Sequence, residues 1–178
     1  MNKQILIAGF GGQGILFSGK FIAYEGLLED KEVSWLPSYG PEMRGGTANC
    51  SIILSDTQIG SPIVTNPDIL IAMNGPSLDK YESATTKGGC ILLDSSLIDK
   101  KVARDDVEVG YIPATKLASD NNLPGLANMI MIGYMIKKTN IIPFENVERT
   151  MKKVVPAKKA ELFDLNMKAV ELGYNYQE

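Results

Sequence analysis

The chain has 178 residues, a net charge of −3, 44% hydrophobic and 22% charged residues: one ordinary globular domain with no cationic footprint for nucleic acid. It contains no histidine and only two cysteines, Cys50 and Cys90. These absences exclude an imidazole base, a Ser-His-Asp or Cys-His nucleophile, a Cys/His zinc site and a four-cysteine iron–sulfur cluster made by this chain alone.

Residues 4–9 form a short apolar run ending in glycine, the pattern of a strand buried on both faces. Residues 14–28 follow as a helix whose small residues Gly19, Ala23 and Gly26 share a face suited to close approach to a sheet. Val33–Leu36 is a second strand, and 37–46, with two prolines and three glycines, is a loop. Thr47–Ser55 returns to strand character, and Pro67 introduces another buried strand at Ile69–Met73. The pattern then predicts a helix over 76–86, a strand at Cys90–Asp94 and a short strand at Val107–Ile112.

Three helical patterns close the chain. Residues 125–138 are apolar nearly all round and predict a central helix; 143–154 and 158–172 are amphipathic. Alternating strands and helices predict a three-layer α/β fold on an open, mostly parallel, Rossmann-like sheet, with additional C-terminal helices, in a single domain over 1–178. Both cysteines sit in strand-like apolar runs and read as reduced core residues. The N-terminal residues lack a signal-peptide pattern, and Leu126–Ile136 is too short to span a bilayer, so a cytoplasmic protein without a membrane partner is expected.

The sharpest local motif is Gly9-Phe10-Gly11-Gly12-Gln13-Gly14, a G-x-G-x-x-G spacing between a strand and a helix. Such a turn brings backbone close to a ligand or neighbouring strand and offers free N–H groups to an anion. A dinucleotide site also needs an acid at the end of the second strand. That strand ends Trp35-Leu36-Pro37-Ser38-Tyr39, with no acid, so a phosphate-binding or purely structural turn is the better reading. The Walker A Gly-Lys-Ser/Thr is absent as well.

The second loop, Pro37-Ser38-Tyr39-Gly40-Pro41-Glu42-Met43-Arg44-Gly45-Gly46-Thr47, is expected at the same crevice, where open α/β sheets bind ligands. Arg44 between a methionine and glycines suits pairing with a carboxylate or phosphate; a structured surface loop explains the composition equally well.

Together, the glycine turn, Ser38 to Cys50, Ser61-Pro62, Pro67 to Asn74, Asn128-Met129 and the closing Asn166 to Tyr174 resemble the gamma subunit of 2-oxoacid:ferredoxin oxidoreductases, most of all the 2-oxoglutarate type. The resemblance runs along nearly the whole chain. It implies oxidative decarboxylation of a 2-oxoacid to an acyl-CoA, with reduction of ferredoxin, by a complex with alpha and beta subunits and a ferredoxin-like delta subunit. Thiamine diphosphate and iron–sulfur clusters are then carried by those partners, and this chain packs beside the coenzyme A side with no catalytic residue of its own. Under this reading Gly9, Gly11, Gly12, Gln13 and Gly14 form the crevice floor. Ser38, Tyr39, Arg44, Gly45, Gly46 and Thr47 face coenzyme A or the partner. Lys152, Lys153, Lys158 and Lys159 read first as a solvated face, with an anion or acidic partner as the sharper alternative. A stand-alone NAD- or FAD-dependent enzyme and a nucleotide-sensing regulatory module are the competing readings.

Overall fold

The computed structural model describes residues 1–39 and 47–178. Its core is a six-stranded sheet in the order β2-β3-β1-β4-β5-β6, built from β1 (Asn2–Phe10), β2 (Glu32–Ser38), β3 (Thr47–Ser55), β4 (Ile69–Ala72), β5 (Cys90–Asp94) and β6 (Glu108–Ile112). β1, β4, β5 and β6 run parallel, while β3 is antiparallel to both β1 and β2. One reversed strand among six keeps the sheet mostly parallel. Alternation of strand and helix patterns does not foretell that reversal, because β2 and β3 are consecutive strands that pair antiparallel.

The helices are α1 (Ile15–Leu28), α2 (Gly75–Tyr81), α3 (Ala114–Asp120), α4 (Ala127–Thr139), α5 (Val147–Val154) and α6 (Ala160–Tyr174), with a 3₁₀ turn at Phe144–Asn146 ahead of α5. The two faces of the sheet are covered unequally. Alternate residues such as Ile5, Ile7, Ile52, Leu54, Ile71 and Leu92 pack with residues of α1, α3, α4, α5 and α6. The other face, with Leu6, Leu70, Ile91 and Leu93, packs on Leu78 of α2 and on Ile98. Burying each such side chain contributes about 1.5–3 kcal/mol, so the main core is the thick helical side.

Helix α1 approaches the sheet where its glycines permit. A Cβ at Gly19 would run into the Cys50 sulfur, and one at Gly26 would lie 2.5 Å from Leu54 Cδ2. Helix α4 is buried from Asn128 through Ile136, as its all-round apolar pattern predicts, and α6 lies across it. Helix α3 has no counterpart in the sequence reading. It is seven residues long, starts after Pro113 and mixes Thr, Lys, Ser and Asp with two alanines, too short and too polar to show a period.

Candidate functional site

The glycine turn joins β1 to α1 at the carboxyl edge of the sheet. Gly14 is the N-cap of α1, in the left-handed region at φ +74°, and no side chain among the described residues caps the first turn. A β-carbon at Gly14 would be strained by that φ and would collide with the Asn128 amide of α4, whose Nδ2 donates to the Gly14 carbonyl at 3.1 Å. The Asn128 Oδ1 is buried, with no hydrogen-bond partner among the described residues. Contact between residues 114 positions apart left no signal in the sequence.

Gln13 folds back into its own turn. Its Oε1 accepts from the Phe10 N–H at 2.6 Å, and its Nε2 donates to the Met73 carbonyl at 3.0 Å. The side chain therefore staples β1 to the end of β4. A Cβ at Gly9 would lie 2.5 Å from Gln13 Oε1, so this glycine makes room for the staple. Gly11 makes room for another group: its Cβ would lie 2.9 Å from Tyr39 Cε2. At Gly12, with φ +90°, a Cβ would meet nothing within 4 Å among the described residues.

The Tyr39 contact brings the end of β2 to the glycine turn. Ser38 pairs with Asn49 and Phe10 with Thr47, so the turn, Ser38, Tyr39 and the backbone of Thr47 share one edge. Tyr39 is 61% exposed, its ring lying over Gly11. Arg44, Gly45 and Gly46 lie outside the described residues.

Beside the turn a cleft of about 690 Å³ opens where β1 and β4 diverge. This is the point at which connections leave in opposite directions, the usual ligand crevice of an open α/β sheet. Gly12 and Gln13 line one side; Met73, Leu97, Ser119 and Leu123 are among the residues completing it. Gly9, Gly11, Gly14, Ser38 and Tyr39 are not part of its lining. No charged side chain lines the cleft among the described residues. Its far wall is fixed by Asp94, fully buried at the end of β5. Asp94 accepts from Ser96 N–H at 3.0 Å, Thr115 N–H at 3.1 Å and Thr115 Oγ1 at 2.5 Å, anchoring the start of α3. The α3 side of the cleft escaped the sequence reading together with α3 itself.

The arrangement departs from a dinucleotide site. There, the strand beside β1 ends near the ribose and supplies an acid. Here that neighbour is β3, which runs the other way and starts at this edge.

The cysteines sit elsewhere. Burial pushes both thiols up to about 12, and the Trp35 indole N–H donates to Cys50 Sγ at 2.8 Å. Such thiols are poor thiolate ligands. No group of three or more Cys, Asp or Glu able to hold a metal ion occurs among the described residues. Of the four lysines near the last two helices, Lys152 pairs with Glu148 at 2.5 Å, while Lys153, Lys158 and Lys159 are exposed. No helix among the described residues is long and apolar enough to cross a membrane.

Comparison with known proteins agrees with the geometry. The chain is 37% identical over 177 residues to the 2-oxoglutarate synthase subunit KorC of Methanocaldococcus jannaschii, covering 98% of this chain and 93% of that one. It is 36% identical over 170 residues to the ketoisovalerate oxidoreductase subunit VorA of Methanothermobacter thermautotrophicus, covering 96% of this chain but 35% of VorA. The chain thus spans about a third of the VorA relatives it matches. The crystal structure of a keto/oxoacid ferredoxin oxidoreductase gamma subunit from Geobacter sulfurreducens superimposes with a TM-score of 0.80 at 28% identity, covering 97% and 96% of the two chains. A family model described as pyruvate ferredoxin/flavodoxin oxidoreductase matches residues 4–176. The chain belongs to the pyruvate ferredoxin/flavodoxin oxidoreductase family.

Proposed function

We propose that this chain is the gamma-type domain of a cytoplasmic 2-oxoacid:ferredoxin oxidoreductase of the 2-oxoglutarate type. The complex oxidatively decarboxylates the oxoacid, forms an acyl-CoA and reduces ferredoxin. The observation that carries this reading is Tyr39 against Gly11: it sets the second loop and the glycine turn on one edge, beside an open cleft. Similarity to KorC along nearly both full lengths supports the 2-oxoglutarate type.

Thiamine diphosphate and the iron–sulfur clusters belong to alpha, beta and delta partners in this reading. The donor set here does not fit a cluster, since both cysteines are buried with raised thiol pKa values. Coenzyme A fits in part. The cleft, whose described lining carries no charged side chain, suits an uncharged portion of the molecule. Its phosphates need cations from outside that lining, for which Arg44 is the candidate; Lys158 and Lys159 lie at the far end of α6, since Gly173 of that helix meets Ile130 and Val170 meets Gly133.

The test is reconstitution with Arg44→Ala. The expected result is a several-fold rise in KM for coenzyme A or the oxoacid, or weakened assembly. Unchanged assembly and unchanged KM for both substrates would remove the second loop from the site. A stand-alone dinucleotide enzyme is the weaker reading, because β3 occupies the place of the ribose-binding strand. It predicts a thermal shift of the isolated chain with NAD or FAD.

A further inference from the structure

The sheet has two edges, and the chain treats them differently. At the β6 edge, the Tyr111 N–H donates to Glu178 Oε1 at 3.4 Å, and Lys138 pairs with the same carboxylate at 3.2 Å. The Lys101 ammonium lies 4.1 Å from the Tyr111 ring centroid, and Tyr111 Oη accepts from the Val102 N–H at 3.1 Å. That edge is covered by the chain's own C-terminal residue and by the segment before the strand.

Among the described residues, no such contacts cover the edge strand β2. From Val33 to Ser38 it carries no charge, and Pro37, which lacks an N–H, is its one edge-protecting residue, so Trp35 and Leu36 lie on the stretch before that proline. Trp35 and Leu36 point to opposite faces of the sheet, and both are 41% exposed. Helix α1 packs on the Trp35 side, where Gly19 faces the indole; Leu36 is on the opposite face from that helix. The indole is also held by its bond to Cys50 Sγ, so Trp35 is an aromatic anchor fixed before any partner arrives. Tyr39 prolongs the strip towards the glycine turn.

The relatives indicate what covers this strip. In VorA the same domain is 35% of a longer chain, so this fold works joined to about twice its own length of further protein. We propose that the β2 edge, anchored by Trp35 and Leu36, is the surface on which that remainder docks, as a separate subunit or a linked domain. This rests on the functional reading above and assigns its partner a face. The strip ends at Tyr39 beside the glycine turn, so docking on it brings the partner to the carboxyl edge of the sheet.

Trp35 is the sole tryptophan, which makes the test direct. The chain is labelled with 5-fluorotryptophan and mixed with the unlabelled partner that matches the remaining two thirds of VorA. Assembly is followed by light scattering and the label by fluorine NMR. The expected result is a shift of the single resonance on assembly, together with at least tenfold weaker binding for Leu36→Lys at an unchanged Tm. Assembly with an unmoved resonance, or with full affinity for Leu36→Lys, overturns the docking face and leaves the functional reading standing. Self-association of the isolated chain that Leu36→Lys abolishes makes a second copy the occupant and also overturns the proposal. Failure of the wild-type chain to bind that partner overturns both.

Discussion

The ring of Tyr39 lies over Gly11, so close that a β-carbon there would sit 2.9 Å from Cε2 and 3.1 Å from the phenol oxygen. The end of β2 is thereby placed on the glycine turn. Replacing Gly11 by Ala should displace the ring. Because Tyr39 is 61% exposed, the ring can swing into solvent at small cost, about 1 kcal/mol or less, which is roughly 2–4 °C in Tm. The expected outcome is a near-native melt with a changed KM for coenzyme A or the oxoacid in the reconstituted complex. A near-native melt with unchanged kinetics would reduce the contact to packing.

Gln13 bears on how the glycine motif is used. A phosphate-binding turn needs its backbone N–H groups free, yet the Gln13 side chain takes up the Phe10 N–H and spans to Met73. Gln13→Leu keeps the bulk and removes both bonds. Destabilisation of about 1–3 kcal/mol is expected from the two orphaned backbone groups. Gln13→Glu keeps the acceptor for the Phe10 N–H but turns a carboxylate oxygen towards the Met73 carbonyl oxygen, so at pH 7 it should be destabilised at least as much as Leu. Equal melts for all three would show that water replaces the staple without loss.

A buried acid gives a pH signature. Glu25 of α1 accepts a hydrogen bond from the Thr150 hydroxyl of α5, and its Oε1 is buried with no hydrogen-bond partner among the described residues. Burial raises its pKa above 4.5, opposed by the bonds from Thr150 and Asn146 and by Arg149; the Glu29 carboxylate adds to the rise. The native state then holds a proton that the unfolded chain releases near 4.5. This stabilisation is fully present below 4.5 and is lost as pH rises through the folded value. Glu25→Gln keeps an acceptor for Thr150 and removes the charge. It should be more stable than wild type at pH 7, by about 1 kcal/mol, with the advantage shrinking towards pH 4. A less stable variant at pH 7 would mean that the ionised carboxylate is favourable there.

Much of this architecture is legible in sequence because fully buried strands are short apolar runs. Thr47–Ser55 and Cys90–Asp94 occupy the predicted positions, and Gly19 and Gly26 do face the sheet. Strand direction is not legible: the period of a strand is the same both ways, so the reversal of β3 shows only in pairing. The helix predicted over 76–86 ends at Tyr81, and the one over 143–154 opens as a 3₁₀ turn, since helix ends are set by local bonds. At the candidate site the glycine turn and the end of β2 were readable from spacing. The partners of that turn, Asn128 and Met73, were not, because each reaches it through tertiary contact across 60 or more residues.

The crossing of α4 and α6 yields a prediction in which two opposing effects can be weighed. Gly133 and Gly173 face each other's helix: a Cβ on the first would run into the Val170 carbonyl, and one on the second into the Ile130 carbonyl. Glycine to alanine in a helix interior normally gains about 1 kcal/mol from propensity. Here the new methyl meets backbone, which cannot rotate away, so the helices must part along a fully buried interface and about 3 kcal/mol or more is lost. The net expectation for Gly133→Ala is a loss of about 2 kcal/mol, or roughly 4–8 °C in Tm. Once the helices have parted, the second alanine meets less resistance, so Gly133→Ala/Gly173→Ala should lose distinctly less than the sum of the single variants. Thermal melts of the three variants check this, and strictly additive losses would mean that the two glycines do not share one contact.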